Sequence, residues 1–316
     1  MTNLRFREDG SFRVLQMADI QDGPNVLPDT IRLIREAIRK ADPDLVVFTG
    51  DQIRGYDPAY IDTFLRRRGE NPGARVRLVT EIEAKLHGIH RRIAARRDPD
   101  LPPQDDVVTM DDLMNDTRQK VRDTFSAFLG PVINAGVPFA ATYGNHDFQC
   151  GILPDEQDDI YREFPGCLNP EADAAGGSPL AIEPGTFALP VLSSDGSEHV
   201  AMGVMLVNSG DYAGKPEEND AQYPRYVAHS RGLDLADSDG YGTPSAEAIA
   251  WLGDVQRTLA ERNGDGEPVP SITFQHIPPQ EFYDCLTEVP AWTPNAVEGA
   301  RNYAGRCYVL NDAVCR

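Results

Sequence analysis

Residues 12–51 read FRVLQMADIQDGPNVLPDTIRLIREAIRKADPDLVVFTGD. Two short apolar runs in it, Phe12–Ala18 and Leu45–Thr49, have the composition of buried strands. Between them, apolar residues recur at helical spacing over Leu27–Lys40, with a proline at the start of the segment. A strand, a helix and a second strand in about forty residues predict a βαβ unit with parallel strands.

The rest of the chain continues this alternation with two interruptions. Further strands are predicted at Pro138–Thr142, Val200–Val207 and Ser271–Phe274, and further helices at Thr117–Ala135, near Asp158, and from an N-cap at Thr243-Pro244. We interpret about 57–116 as an insertion with one or two surface helices and a polar loop. Its arginines are expected on a solvated face; the alternative is that some hold a substrate phosphate. No regular structure is expected over most of 143–196 or after Pro278.

Chemically useful side chains follow the predicted strands, at the point where each strand ends. They are Asp19 and Gln21, Asp51, the run Asn145-His146-Asp147, and His276. In open α/β sheets, ligands bind at the carboxyl ends of the strands, so these side chains are expected at one edge. Oxygen and imidazole ligands together suit Mn, Fe or Zn.

The residue types also suit a site with two metal ions. A carboxylate such as Asp51 can bridge two cations and offset their repulsion. The neutral amide of Asn145 can bind a metal without adding charge, which keeps the site positive toward an anionic substrate. His146 has the position of a group that protonates a leaving oxygen.

These motifs, in this order, resemble those of the calcineurin-like metallophosphoesterases. Asn208–Tyr212, Tyr241-Gly242 and Phe274–Pro279 are similar to the purple-acid-phosphatase-29-like branch of that superfamily. The resemblance implies an α/β fold, a four-layer sandwich of two mixed β-sheets flanked by helices. It also implies two divalent or trivalent metal ions, with the following roles: Asp19 on the first metal, Asp51 as the bridge, Asn145 and His276 on the second, His146 as acid or transition-state stabiliser, and Asp147 orienting His146.

The chain departs from the family pattern in two places. Gln21 stands where the family has a histidine; its carbonyl oxygen can bind a metal, though less strongly than imidazole does. The family also has a Gly-His-x-His element after a further strand, and no histidine follows His276. We therefore expect weak metal binding, and a natural protein that continues past Arg316.

The composition of the chain limits the kinds of partner that we expect it to bind. The chain has 316 residues and a formal net charge of −20, which argues against extended nucleic acid and anionic membranes as partners. No apolar run reaches the length of a membrane span. Five cysteines without a signal sequence favour reduced thiols and a cytoplasmic location.

The prediction is a single phosphoesterase domain over residues 1–316 that hydrolyses small phosphate mono- or diesters by attack of a metal-activated water. The alternatives are a phosphodiesterase for cyclic nucleotides or nucleic acid, and a degenerate, non-catalytic metal-binding scaffold. Oligomeric state is left open.

Overall fold

The computed structural model describes residues 4–55, 57–69, 82, 109–171, 179–214, 226–229, 232–235, 238–279, 286–294, 297–298 and 307–310. The helices are α1 Pro28–Ala41, α2 Pro58–Arg67, α3 Met110–Asn134, α4 Pro154–Arg162 and α5 Ala246–Asn263, with a 3-10 turn at Asp147–Cys150. The strands are β1 Leu4–Arg5, β2 Val14–Met17, β3 Leu45–Phe48, β4 Phe139–Ala141, β5 Ala181–Glu183, β6 Thr186–Leu192, β7 Val200–Val207, β8 Tyr212–Gly214, β9 Tyr226–His229, β10 Gly232–Leu235, β11 Ser238–Tyr241, β12 Ser271–Gln275, β13 Leu286–Val289, β14 Val297–Glu298 and β15 Cys307–Leu310.

The first sheet contains the βαβ unit predicted from residues 12–51. Its strand order is β2-β3-β4, and both pairings are parallel, with Val14 opposite Leu45 and Val46 opposite Phe139. All three strands therefore end at the same edge, where the loops after Met17, Phe48 and Ala141 begin. This confirms the parallel pairing of β2 and β3.

The second sheet is mixed. Its order is β1-β6-β7-β12, with β5 paired to the edge of β6. Strands β6 and β7 are antiparallel, whereas β12 runs parallel to β7 with Gln275 opposite Val207. His276 follows β12 directly, so this sheet delivers its own side chain to the site.

Alternate residues of β3 face two different cores, which defines the layers. Leu45 and Val47 pack with Val204, Leu206 and other residues of the second sheet. Val46 and Phe48 point the other way, against α1 and α3, with Phe128 edge-on to Phe48. A third core joins the far face of the second sheet to α5. The order of layers is helices, sheet, sheet, helix, as expected for the four-layer sandwich.

Helix α2 corrects one expectation about the 57–116 segment. Tyr60, Phe64 and Leu65 are buried, so this helix belongs to the core rather than to a surface insertion. The neighbouring arginines Arg66 and Arg67 pair with Asp62 and Glu156. They are therefore used in the fold and do not reach the metal edge. The second basic cluster, Arg91–Arg97, lies outside the described residues.

Other boundaries also differ from the sequence prediction. Helix α3 begins seven residues early, because Thr109 and Asp112 form a capping box there. The N-cap of α5 is Ser245, whose side chain accepts the N–H of Ala248, rather than Thr243. Strands β5 and β6 occupy a stretch predicted to be irregular. Within the described residues, no helix is long and apolar enough to cross a bilayer.

The chain divides into two compact units, residues 1–276 and 277–316. The larger unit contains both sheets described above. In the smaller unit, β15 pairs antiparallel with β13 on one side and β14 on the other, although no regular structure was expected after Pro278. That one domain spans 1–316 stays a prediction.

Candidate metal centre

The loops after β2 and β3 are joined by backbone hydrogen bonds. The N–H of Asp19 donates to the carbonyl of Gly50 at 3.0 Å, and the N–H of Gln21 donates to that of Asp51 at 3.0 Å. Asp19, Gln21 and Asp51 have positive φ angles of 55°, 45° and 56°. Such backbone conformations are uncommon for residues other than glycine, and they cluster where a fold holds side chains for function.

Three of the predicted metal ligands come together at this edge. One ligand atom each from Asp19, Asp51 and His276 lies within 4.8 Å of the other two. Asp51 is almost fully buried, His276 is half-buried and Asp19 is exposed. The His276 Nε2 lies 3.2 Å from Asp51 Oδ2. Two sheets therefore contribute to one cluster, as the sequence predicted.

Two glycines allow the three segments to approach closely. A Cβ at Gly50, which has φ 112°, would lie 2.5 Å from the backbone nitrogen of Gly144 and 2.8 Å from the Cβ of His276. A Cβ at Gly144 would lie 2.7 Å from Cδ2 of His276 and would collide with the Asp51 carboxylate. Any larger residue at either position would push these segments apart.

Asp147 acts on the backbone of the site. Its carboxylate accepts the N–H groups of Asp51 at 2.7 Å, Gly144 at 2.9 Å and Ile53 at 3.1 Å. Burial, with the charge of Asp51 adding to it, raises the pKa of Asp147 to about 7, against the opposing effect of the three donors. The carboxylate thus joins the loops after β3 and β4 beneath the metal edge.

The ring of His146 is hydrogen-bonded to Gln149, a residue that no sequence motif indicated. Its Nδ1 lies 2.8 Å from Oε1 of Gln149, so Nδ1–H donates to the amide oxygen and Nε2 faces the site. That Nε2 is 3.8 Å from Asp51 Oδ2. The His146 backbone N–H also donates to Asp51 Oδ1 at 2.8 Å. Gln149 therefore orients the ring, and an orienting role for Asp147 stays a prediction.

Asn145 and Gln21, the remaining predicted ligands, lie beside the cluster. Asn145 is buried at 2% exposure, between the backbone groups of Gly144 and His146 that bind Asp147 and Asp51. The Gln21 amide nitrogen donates to Asp19 Oδ1 at 3.2 Å and Asp51 Oδ2 at 3.3 Å. Rotation of this amide by half a turn would bring its carbonyl oxygen to the same place. Metal ligation by either residue stays a prediction.

The donor set fits a cation. Two carboxylates and an imidazole within a few ångströms are the hard and borderline donors that Mn, Fe and Zn accept. Burial lowers the pKa of His276, but the hydrogen bond with Asp51 and the charges of Asp51, Asp147 and Asp19 outweigh it and raise the pKa above 6.5. The carboxylates that raise this pKa would also attract a metal cation.

A cavity of about 640 Å³ is lined by Glu183 of β5, the loop after β7 and Ser245 at the start of α5. Tyr212 lines it, and the Tyr212 ring stands edge-on to the His146 ring with centroids 6.4 Å apart. Asn208 supports its wall, because its side chain donates to the Pro184 carbonyl and accepts the N–H of Gly210. Asn208, Asp211 and Tyr212, which lie in the stretch that resembles the purple-acid-phosphatase-29-like branch, all line the cavity.

The other histidines lie elsewhere or outside the description. His199 is half-exposed and lies 3.8 Å from Asp265, away from the cluster. His87 and His90 are outside the described residues, and so is the side chain of His229.

Fold and site together define an α/β protein with a two-sheet sandwich and a cluster of carboxylate and imidazole groups at the strand ends that could hold a metal ion. Residues 12–284 match the family model of the calcineurin-like phosphoesterases, and the chain belongs to that family.

Individual relatives are more distant. A curated protein of Arabidopsis thaliana, named probable inactive purple acid phosphatase 28, is 37% identical in a 68-residue alignment that covers 16% of this chain and 17% of that protein. The chain thus matches only about a sixth of that relative's length. A solved dimetal phosphatase from Danio rerio superposes with a TM-score of 0.40 at 16% identity, over 87% of this chain and 71% of that one.

Proposed function

We propose that this chain is a two-metal phosphoesterase that hydrolyses small phosphate mono- or diesters. The observation that carries the proposal is the convergence of Asp19, Asp51 and His276 from two sheets, with ligand atoms within 4.8 Å of one another. In the proposed site, Asp51 would be a ligand to both ions, Asp19 and Gln21 would be further ligands to one, and Asn145 and His276 would be further ligands to the other. Ions of the Mn, Fe or Zn class supply Lewis acidity there and lower the pKa of a bound water.

The proton chemistry falls to His146. The attacking water first loses a proton to solvent, and as the resulting hydroxide oxygen bonds to phosphorus, the bond from phosphorus to the leaving oxygen breaks. The imidazolium form of His146 gives its Nε2 proton to that leaving oxygen and becomes the neutral imidazole. Gln149 accepts from Nδ1 and so keeps Nε2 directed at the site. Asp147 keeps Asp51 and Gly144 in register through their backbone N–H groups. None of these residues attacks phosphorus itself, because the nucleophile comes from water. The reaction therefore needs no covalent enzyme intermediate.

The proposed substrate is small. The net charge of −20 repels extended polyanions, whereas bound cations make the local site attractive to one phosphate. This charge also disfavours anionic membranes and long nucleic acid as partners. Cys150, Cys167 and Cys307 are free thiols among the described cysteines, in keeping with the proposed cytoplasmic location.

The test combines metal analysis with turnover of an aryl phosphate and a bis-aryl phosphate in added Mn²⁺. We expect bound metal and turnover of at least one ester class, both lost in Asp51→Asn and retained in the control Asp265→Asn. Wild-type protein that binds no metal and turns over neither ester would overturn the proposal.

His146 separates catalysis from metal binding. Since His146 is proposed to donate a proton, His146→Ala should lower kcat about a hundredfold with metal content unchanged. The matched control is His199→Ala, which removes a histidine beside Asp265 and should leave kcat unchanged. Loss of metal from His146→Ala would contradict the assigned role.

A second candidate, a non-catalytic metal-binding scaffold, is favoured by Gln21 in place of the family histidine. The Arabidopsis relative is named inactive, so a test must separate an enzyme from a non-catalytic protein. The two functions differ in one result: a scaffold binds metal without Mn²⁺-dependent turnover, and Gln21→His does not restore turnover.

A further inference from the structure

The cavity lined by Glu183, Ser245 and the loop after β7 is held by hydrogen bonds between separate segments. Asn208 joins the end of β7 to Pro184, and its backbone N–H donates to Thr186 Oγ1 at 3.1 Å. On the opposite side, the N–H of Gly242 donates to the carbonyl of Asp211 at 2.6 Å. The volume of about 640 Å³ is therefore preformed and falls within the range of small-molecule sites.

The position of the cavity suits the alcohol of a phosphate ester, which is the part of the substrate that takes the proton from His146 and leaves. Phe148 follows His146 by two residues, and Tyr212 contacts the cavity while its ring lies 6.4 Å from that of His146. A leaving oxygen at His146 Nε2 would therefore lie close to Tyr212, which forms part of the cavity wall. Tyr241 stacks on Tyr212 at 5.3 Å and fixes the ring.

The lining is acidic and aromatic. Asp155, Glu183 and Asp211 contribute carboxylates, and no lysine, arginine or histidine occurs among the described lining residues. Glu183 accepts hydrogen bonds from Thr186 Oγ1 at 3.0 Å and Ser245 Oγ at 3.3 Å. Hydroxyl donors position this carboxylate without neutralising its charge. Aromatic rings and carboxylates together attract organic cations.

We propose that this cavity binds the alcohol part of the substrate and selects phosphate esters whose alcohol carries a positive charge on a compact apolar body, such as a quaternary ammonium. The proposal rests on the proposed phosphoesterase function and deepens it. Esters of anionic alcohols are rejected, because Glu183 and Asp155 would face a like charge. The phosphate itself stays at the metal edge, where the cations attract it.

A pair of substrates of equal shape tests the proposal. Phosphocholine and 3,3-dimethylbutyl phosphate differ by replacement of the charged nitrogen with carbon. We expect kcat/KM to favour phosphocholine by roughly tenfold, the scale of a cation held by rings and a carboxylate. Phosphoglycolate, whose alcohol is anionic, should be the poorest of the three. A wild-type ratio of one or below would overturn the proposal.

Two variants locate the preference. Glu183→Gln keeps the side-chain volume and should lower the ratio to about threefold or less, and Tyr212→Leu should lower it as well. Glu198→Gln is the matched control, because Glu198 is exposed and forms an ion pair with Arg5. A ratio that survives both cavity variants would place the preference elsewhere and overturn the assignment.

Binding of the alcohols alone separates this proposal from the proposed function. Choline and 3,3-dimethylbutanol are titrated calorimetrically into wild type, Glu183→Gln and Glu198→Gln. Tighter binding of choline to wild type and Glu198→Gln, but not to Glu183→Gln, supports the cavity even if no ester is hydrolysed, in which case only the proposed function fails. If aryl phosphate is hydrolysed but choline binds no more tightly than 3,3-dimethylbutanol, only the cavity assignment is wrong.

Discussion

The two halves of the metal edge are built differently. In the half with Asp51 and His276, Asp51 is buried and His276 half-buried, two glycines bring the backbones into contact, and Asp147 accepts three backbone N–H groups. Around Asp19 and Gln21, the side chains are more open to solvent, and the Gln21 amide contacts the two carboxylates. The first half is held by the cores of both sheets, the second by a single loop.

This difference between the two halves indicates which of them should bind its metal ion more tightly. A ligand whose neighbours are already fixed loses little conformational freedom when an ion binds, whereas an exposed side chain must be ordered at that moment. We therefore expect the ion near His276 to be the tighter one. The predictions below test this difference, from the largest effect to the smallest.

Asp51 is common to both halves, so its loss should remove the contrast altogether. Asp51→Asn retains an oxygen that can accept the His146 backbone N–H but lacks the bridging charge. We expect loss of both ions and a fall in kcat/KM of roughly a thousandfold. Metal analysis and Mn²⁺-dependent turnover measure it. Two tightly bound ions in this variant would refute bridging by Asp51.

Separate removal of a ligand from each half should give unequal results. His276→Ala should weaken the tighter of two Mn²⁺ dissociation constants by about a hundredfold, because an imidazole is lost from an ordered site. Asp19→Ala should weaken the looser constant and leave the tighter one nearly unchanged. Calorimetric titration of both variants measures these constants. The opposite pattern would show that the exposed half is the stronger site.

The weaker half can also be strengthened. Gln21→His replaces an amide with the imidazole that the family carries there, so the looser Mn²⁺ constant should tighten by about tenfold. Activity at low Mn²⁺ should rise accordingly. Gln16→His, on β2, the strand that precedes residue 21, serves as the control for an added histidine and should change neither the constant nor the activity. An unchanged constant in Gln21→His would mean that residue 21 does not limit the first ion.

A buried carboxylate behind the ordered half gives a smaller effect, on stability. Asp158 accepts from Asn169 and Tyr143, and burial raises its pKa to about 6. Its folded pKa exceeds the unfolded value of 3.8, so between these pH values the folded state keeps a proton that the unfolded state has lost. Asp158 therefore favours the folded state fully below about pH 4, and stability is lost as pH rises through about 6.

Denaturant titrations at several pH values detect this change. Between pH 4 and 7, Asp158→Asn should remove a decline on the order of 2–3 kcal/mol from the free energy of unfolding. Asp159→Asn, at an exposed site paired with Arg162, should leave the slope as in wild type. Equal slopes in wild type and Asp158→Asn would show that Asp158 does not titrate abnormally.

Strand ends and helical spacing predicted the sheet pairing and the cluster well. Asp19, Asp51 and His276 could be foreseen because each follows an apolar run, and parallel strands bring such positions to one edge. The burial of α2 was missed because Arg66–Arg68 dominated its interpretation, although Tyr60, Phe64 and Leu65 already formed an apolar face.

Some side-chain contacts could not be predicted from the sequence. The contact of Gln149 with His146 is local, three residues apart, but no periodicity shows that the amide meets the imidazole. Glu183 belongs to β5, in a stretch rich in glycine and proline, and its role depends on Ser245 at the start of α5. Such pairings depend on how loops from different layers meet, which periodicity does not encode.

The central claim is that the cluster holds two ions of unequal affinity. Anomalous scattering from crystals grown with Mn²⁺ tests it most directly. Two peaks about 4 Å apart are predicted, both within coordination distance of Asp51, with the one beside His276 at higher occupancy. Crystals in which Asp51 and His276 keep their contact, with no anomalous peak beside either, would contradict the account.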